Sequence, residues 1–328
     1  MIKRRLRFGA ILIAITVIML SIARLLSQEK IFRQTSGEYI KWVDFGVTCE
    51  AMNDALEISL DAYEKGYNAD FVKLLSYLGA KYGGDFKHYK KTDLTTLYDK
   101  IKNGEKIDAL GAKYNYYPYF LEAYGAVLSE YVGEFYIDGK QYYGLRVFSP
   151  IAKGYYYNHS DDFGNKRSYG YNRKHLGHDL MGSVGTPVIA MESGYVEALG
   201  WNQYGGWRIG IRSFDNKRYY YYAHLRKDHP YVTDLQEGDI VTAGQVIGYL
   251  GQTGYSAKEN VNNIKTPHLH FGIQLIFDHS QKDGYNQIWI DCYELTKFLS
   301  QNRMGVVVAS NGRDRVAEKE IIIYDIPD

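Results

Sequence analysis

Two cysteines in 328 residues, Cys49 and Cys292, are too few for a disulfide framework or a cysteine-built zinc module. Any metal must therefore be held mainly by histidine, aspartate or glutamate. An excess of one charge is also missing: 39 Lys+Arg against 38 Asp+Glu leave a formal net charge of +1. That balance argues against nucleic acid as a partner, because such proteins carry a strongly basic face or tail. No HExxH sequence occurs, which excludes a helical zinc site with glutamate as base. Internal repeats and low-complexity tracts are absent as well. A hydrophobic fraction of 45% with 23% charged residues excludes a mostly disordered chain. The length suffices for roughly two domains of ~100–200 residues. Tyrosine is abundant instead: 33 residues, as many as glycine. At that density it suits wet surfaces where a ring stacks and a hydroxyl bonds.

Lys3, Arg4, Arg5 and Arg7 precede an apolar run from Phe8 to Ala23, interrupted at Arg24 and resumed by Leu25 and Leu26. A basic flank ahead of an apolar core is an export signature that keeps the N-terminus cytoplasmic. Counted through Leu26, with Arg24 snorkelling, the run approaches the ~20 residues of a membrane span. Residues 1–27 are therefore expected to be a retained signal-anchor, with cleavage near Ser21-Ile22-Ala23 as the other reading. Either places the rest of the chain outside the membrane.

Residues 28–37 read as a linker. From 38 to 133 the pattern is helical, with Met52, Ala55, Leu56, Leu60 and Tyr63 at helix spacing. Asp70 is expected to cap a second helix that ends at Gly83-Gly84, Thr92-Asp93 to open a third, and Pro118 to stand first in a fourth. This helical domain carries no chemical motif and reads as a spacer or docking unit. From about Phe135 glycines multiply and short β-type runs appear: Gly194–Leu199, Trp207–Ser213, Arg218–Leu225, Gln245–Leu250 and His268–Ile276. The fold class is α+β: an anchor, a small helical domain, then an antiparallel β-sheet domain over 134–300. The tail, 301–328, has two short apolar runs and no assignable role.

Five of nine histidines fall in three patterned places. His175 is followed by Gly177 and Asp179. His224 ends a strand. His268 and His270 occupy alternate positions of a strand and so share one face with Gly272 and Gln274, while Leu269, Phe271, Ile273 and Leu275 face the core. A catalytic zinc needs three protein ligands and an open place for water. His175, Asp179 and His270 supply such a set. His224 and His268 remain as bases near neutral pH, one to take a proton from zinc's acidified water and the other to hydrogen-bond the developing oxyanion.

The glycine framework around these residues is equally ordered. His175-x-Gly177-x-Asp179 is followed by Gly185-Thr186-Pro187-Val188-x-Ala190, Gly194-x-Val196 and Tyr222-x-His224-Leu225. Glu237-Gly238-Asp239-x-Val241-x-x-Gly244-Gln245-x-Ile247-Gly248 and Pro267-His268-Leu269-His270-Phe271 complete it. Over about residues 145–280 this closely resembles the lysostaphin-type zinc endopeptidases of bacterial cell walls. The resemblance implies one Zn²⁺ per chain on His175, Asp179 and His270, catalysis by His224 and His268, and peptidoglycan peptides as substrate. The N-terminal run, which lies outside the resemblance, predicts a single-pass protein of the cell membrane with an extracytoplasmic catalytic domain, or a secreted one if the leader is removed. Two rivals stand beside it. A non-catalytic envelope scaffold of the same fold would usually have lost a ligand, and none is lost here. A lipoyl-type carrier would need a lysine near Ala190-Met191-Glu192-Ser193-Gly194, which has none. His178 reads as a supporting or surface residue; His88, His159, His229 and His279 read as ordinary exposed histidines. The two thiols read as buried and unpaired. The tyrosines at 155–157 and 169–171 are expected either to line a groove or to pack.

Overall fold

In the computed structural model, the described residues are 39–168 and 172–323. The expected anchor and linker, and the tyrosines at 169–171, lie outside them. Among the described residues no helix is long and apolar enough to cross a membrane. From Val43 onward they belong to one compact unit.

The helical segment comprises α1 (Cys49–Lys65), α2 (Phe71–Tyr82), α3 (Lys91–Lys102), α4 (Ile107–Gly111) and α5 (Tyr117–Leu128). Thr48 caps α1 by accepting the Ala51 N–H, and Gly66, at φ 75°, closes it in the left-handed conformation that costs glycine little. Its buried stripe includes Met52, Ala55 and Leu56 as expected, but continues through Ser59 and Ala62. Tyr63 stands at the rim, exposed, its ring stacked on Tyr143 at 3.9 Å. Asp70 caps α2 through the Lys73 N–H at 2.8 Å. The third helix opens one residue early, at Lys91. Asp93, in its first turn, pairs with Lys81 at 2.6 Å and accepts from the Tyr82 hydroxyl at 2.7 Å. Pro118 lies in the first turn of α5, where its missing N–H is not needed.

The strands follow: β1 (Val132–Ile137) and β2 (Lys140–Leu145) form a hairpin, then come β3 (Tyr157–His159), β4 (Lys166–Arg167), β5 (Arg173–Lys174), β6 (His178–Gly182), β7 (Pro187–Ile189), β8 (Gly194–Asn202), β9 (Gly206–Ser213), β10 (Arg218–Ala223), β11 (Ile240–Val241), β12 (Val246–Tyr249), β13 (His268–Leu275) and β14 (Ile288–Ile290). The main sheet has eight antiparallel strands in the order β11-β8-β9-β10-β13-β6-β3, with β14 pairing the far end of β13. Alternation divides it into two faces. Ile209, Ile211, Tyr220, Tyr222, Leu269, Phe271 and Ile273 point to the core and are fully buried. The opposite face floors an open groove.

Helices pack on the core side. The Phe71 ring stacks on Phe298 at 6.1 Å, and the Cys49 N–H donates to Glu294 at 2.7 Å, joining α1 and α2 to α6 (Tyr293–Leu299). The tail gains a structural role. Asp314, between β15 (Val306–Val308) and β16 (Arg315–Ala317), accepts from His229 at 2.8 Å, from the Thr233 hydroxyl at 2.6 Å and from Tyr249 at 3.1 Å. Ile321 packs with Phe148, Ile189, Val246 and Met304.

Candidate active site

Register alone assembles most of the site. On β13, His270 lies directly across from Asp179 of β6, and on its other side from Ala223, the last residue of β10. His224 follows at φ 62°, a left-handed conformation rarely adopted by non-glycine residues and a sign of backbone strain kept for position. His175 reaches the cluster from the loop before β6. Gly177 is required there: a Cβ would meet the Phe271 carbonyl oxygen at 2.5 Å and the His270 ring at 2.9 Å, so only glycine lets this loop pass beside the second imidazole.

His175 Nε2 stands 2.9 Å from His270 Nδ1 and 3.0 Å from Asp179 Oδ1, and the last two are 3.2 Å apart. These three residues form a group able to hold a metal ion. His175 Nδ1 lies 3.1 Å from a carboxylate oxygen of Asp162, which places its proton there and leaves Nε2 as a bare lone pair. At most one proton then lies among the three atoms. Two lone pairs and a carboxylate facing one another suit a cation. Their separations of 2.9, 3.0 and 3.2 Å would let all three donor atoms share one small metal ion. The other Asp179 oxygen, Oδ2, accepts from Arg167 Nη2 at 3.0 Å, and the same nitrogen donates to Asp162 at 2.7 Å. Burial alone would raise the Asp179 carboxyl, but its close contacts with the His175 and His270 rings hold it well below the usual carboxylate range. Burial pushes His270 down and keeps it neutral, as a ligand must be.

The other two histidines flank this cluster. His268 Nε2 is 3.6 Å from Asp179 Oδ1, and the His224 and His268 ring centroids are 4.8 Å apart. Each has its Nδ1 beside a backbone carbonyl: Thr253 at 2.9 Å for His224 and Thr266 at 2.8 Å for His268. That fixes the proton on Nδ1 and leaves Nε2 free to act. Burial drives His224 well below its ordinary value, so it is a neutral imidazole near pH 7.

All five residues singled out from the sequence thus converge. His178 does not join them. It pairs with Phe271 in register, faces away, is fully buried and donates to Asp291 at 2.9 Å. Of the histidines expected to be exposed, His159 and His229 are half-buried; His159 contacts the Thr296 hydroxyl and His229 pairs with Asp314. Cys292 is buried as expected but Cys49 only partly. The groove encloses about 560 Å³. Its aromatic lining is Tyr204, Tyr219, Tyr221, Tyr255 and Trp289, not the tyrosines at 155–157. Arg167 and Asp162 were not foreseen, since nothing in their spacing marks them.

A pleated antiparallel sheet thus carries a possible His₂Asp metal site beside two anchored histidines. Residues 173–283 match Peptidase family M23, and the chain carries a domain of that family. It is 38% identical over 148 residues to an L-Ala–D-Glu endopeptidase of Bacillus subtilis (strain 168), covering 45% of this chain and 43% of that protein. It is 38% identical over 115 residues to lysostaphin of Staphylococcus simulans, covering 32% of this chain and 21% of the other. The chain thus spans less than half the length of these relatives. A solved LytM-type structure from Ruminococcus gnavus ATCC 29149 superposes with a TM-score of 0.55 at 22% identity, covering 81% of this chain and 92% of that one. Such coverage exceeds the sheet region, so the shared fold extends into the helical segment.

Proposed function

We propose that this chain is a zinc endopeptidase that hydrolyses peptide bonds in peptidoglycan. The observation that carries the reading is the convergence of three ligand atoms beside two histidines whose Nδ1 protons are tied to backbone carbonyls. His175, Asp179 and His270 would hold one zinc ion. When bound, zinc supplies a Lewis acid for the carbonyl and a water acidified to about pKa 7. His224 and His268 do the proton work. A neutral imidazole whose Nδ1–H is occupied accepts a proton at Nε2; that new N–H then donates to the oxyanion or to the leaving amine. Arg167 holds the second oxygen of Asp179, leaving the first for the metal.

The test separates ligand from base. His224→Ala and His268→Ala should each retain zinc by metal analysis, yet hydrolyse purified peptidoglycan ~10²–10⁴-fold more slowly. A chelator should stop the wild type. Near-normal rates in both variants, or indifference to the chelator, would refute this mechanism.

We further propose that residues 1–27 hold the enzyme at the cell membrane with the peptidase outside. The basic flank before the apolar run supports it, and so does a substrate that lies outside the membrane. Protease added to wall-stripped intact cells should digest the domain; full protection would overturn the topology.

A further inference from the structure

We propose that the groove contains a carboxylate-binding subsite centred on Arg208, so that the peptide cleaved bears an acidic residue within about two positions of the scissile bond. This rests on the endopeptidase reading above and names its substrate class. Strand β9 presents Gly206, Arg208, Gly210 and Arg212 to the groove by simple alternation. Tyr231 pins the strand at this point by donating its hydroxyl to the Arg208 carbonyl at 2.9 Å. The Arg208 side chain is half-buried, and its Nε is covered by protein without a hydrogen-bond partner. Among the described residues no carboxylate pairs with it.

The neighbouring cations are answered differently. Arg167 pairs with Asp162 and Asp179, while Arg212 and Lys282 both pair with Glu197. Arg212 keeps Nη1 without a partner even though only 6% of the residue is exposed. In all, six cations and two carboxylates line the groove, in a chain whose formal net charge is only +1. A partly desolvated guanidinium with no counter-charge is unfavourable in the free protein. An incoming carboxylate satisfies it with two parallel hydrogen bonds, a geometry arginine supplies and lysine does not.

Register sets the distance to the cleaved bond. Continuing the β9–β10 ladder one step past Ile209 and Tyr222 puts Arg208 opposite Ala223, which itself pairs with His270. Arg208 is therefore two strands from the metal cluster, about 10 Å between Cα atoms. An extended peptide advances ~3.3–3.6 Å per residue, and the long arginine side chain covers part of the gap. A cross-bridge made of glycine has no carboxylate to place there; a stem peptide with free carboxyl groups does.

The experiment reads binding without turnover. Full-length protein in chelator is titrated, by tryptophan fluorescence, with muropeptides carrying free carboxyls and with the same muropeptides converted to carboxamides. The free acids should bind about tenfold tighter or more, the usual worth of a charge-assisted bond. That preference should shrink as salt is raised. Arg208→Gln should abolish it, and Arg208→Lys should restore it in part. Equal affinity for the two forms in the wild type, or an undiminished preference in Arg208→Gln, overturns the subsite. Preference without hydrolysis once zinc is returned keeps the subsite and overturns the endopeptidase reading. Hydrolysis of both forms with equal affinity does the reverse.

Discussion

Asp179→Ala should yield a folded protein that holds little zinc and hydrolyses almost no peptidoglycan. The carboxylate sits on β6 opposite His270, with Oδ1 3.0 Å from His175 Nε2 and 3.2 Å from His270 Nδ1. Without it two imidazoles remain, one ligand short of the three that catalytic zinc sites draw from protein. The site would lose the water acidification that a bound zinc would supply, so the fall in rate should exceed about 10³-fold. Arg167 would lose one partner but keep Asp162 at 2.7 Å, so no isolated cation is left behind. His270→Ala should behave the same way, and far-ultraviolet circular dichroism should show both variants folded. Near-stoichiometric zinc in both would sink the ligand assignment.

The parts of the site governed by short periodicities were legible in the sequence. Strand alternation alone puts His268 and His270 on one face and Leu269, Phe271, Ile273 and Leu275 on the other, and those four are fully buried. Asp70 and Pro118 marked helix starts because capping and first-turn preferences are local. Local rules placed the start of the third helix one residue late, because Lys90, which offers no side-chain cap, precedes it. They also failed for short elements: α4 and α6 have five and seven residues, too few for a helical stripe. The supporting contacts of the site were invisible for another reason. Asp291 fixes His178 across 113 residues and Asp179 reaches His270 across 91, and only the latter pair was flagged by a motif. Arg167 and Arg208 carry no pattern at all. Their significance lies in which carboxylates surround them, a property of the folded chain.

The largest loss of stability should come from Arg218→Met, on the face of the sheet away from the groove. Arg218 is fully buried. Its Nε and Nη2 donate to the two Glu192 oxygens at 2.8 and 2.9 Å, and Nη2 reaches Asp215 at 3.1 Å. Nη1 donates to the Ala126 carbonyl at 2.7 Å, satisfying an acceptor in the last turn of α5 that has no partner within its own helix. One guanidinium therefore joins sheet and helical segment. Glu192 is itself 5% exposed, and apart from Arg218 its side chain keeps the Tyr220 hydroxyl. Removing the cation strands this carboxylate in a poorly solvated place, a change that costs about 3–5 kcal/mol. Denaturant titration should show a clear drop in the unfolding midpoint. The double variant Arg218→Met, Glu192→Leu should recover most of it, because no lone charge remains. Zinc content should stay near that of the wild type in the folded single variant, since the cluster lies on the other face. An unfolding midpoint unchanged in Arg218→Met, or a double variant no better than the single, would show that the pair does not join these parts of the fold.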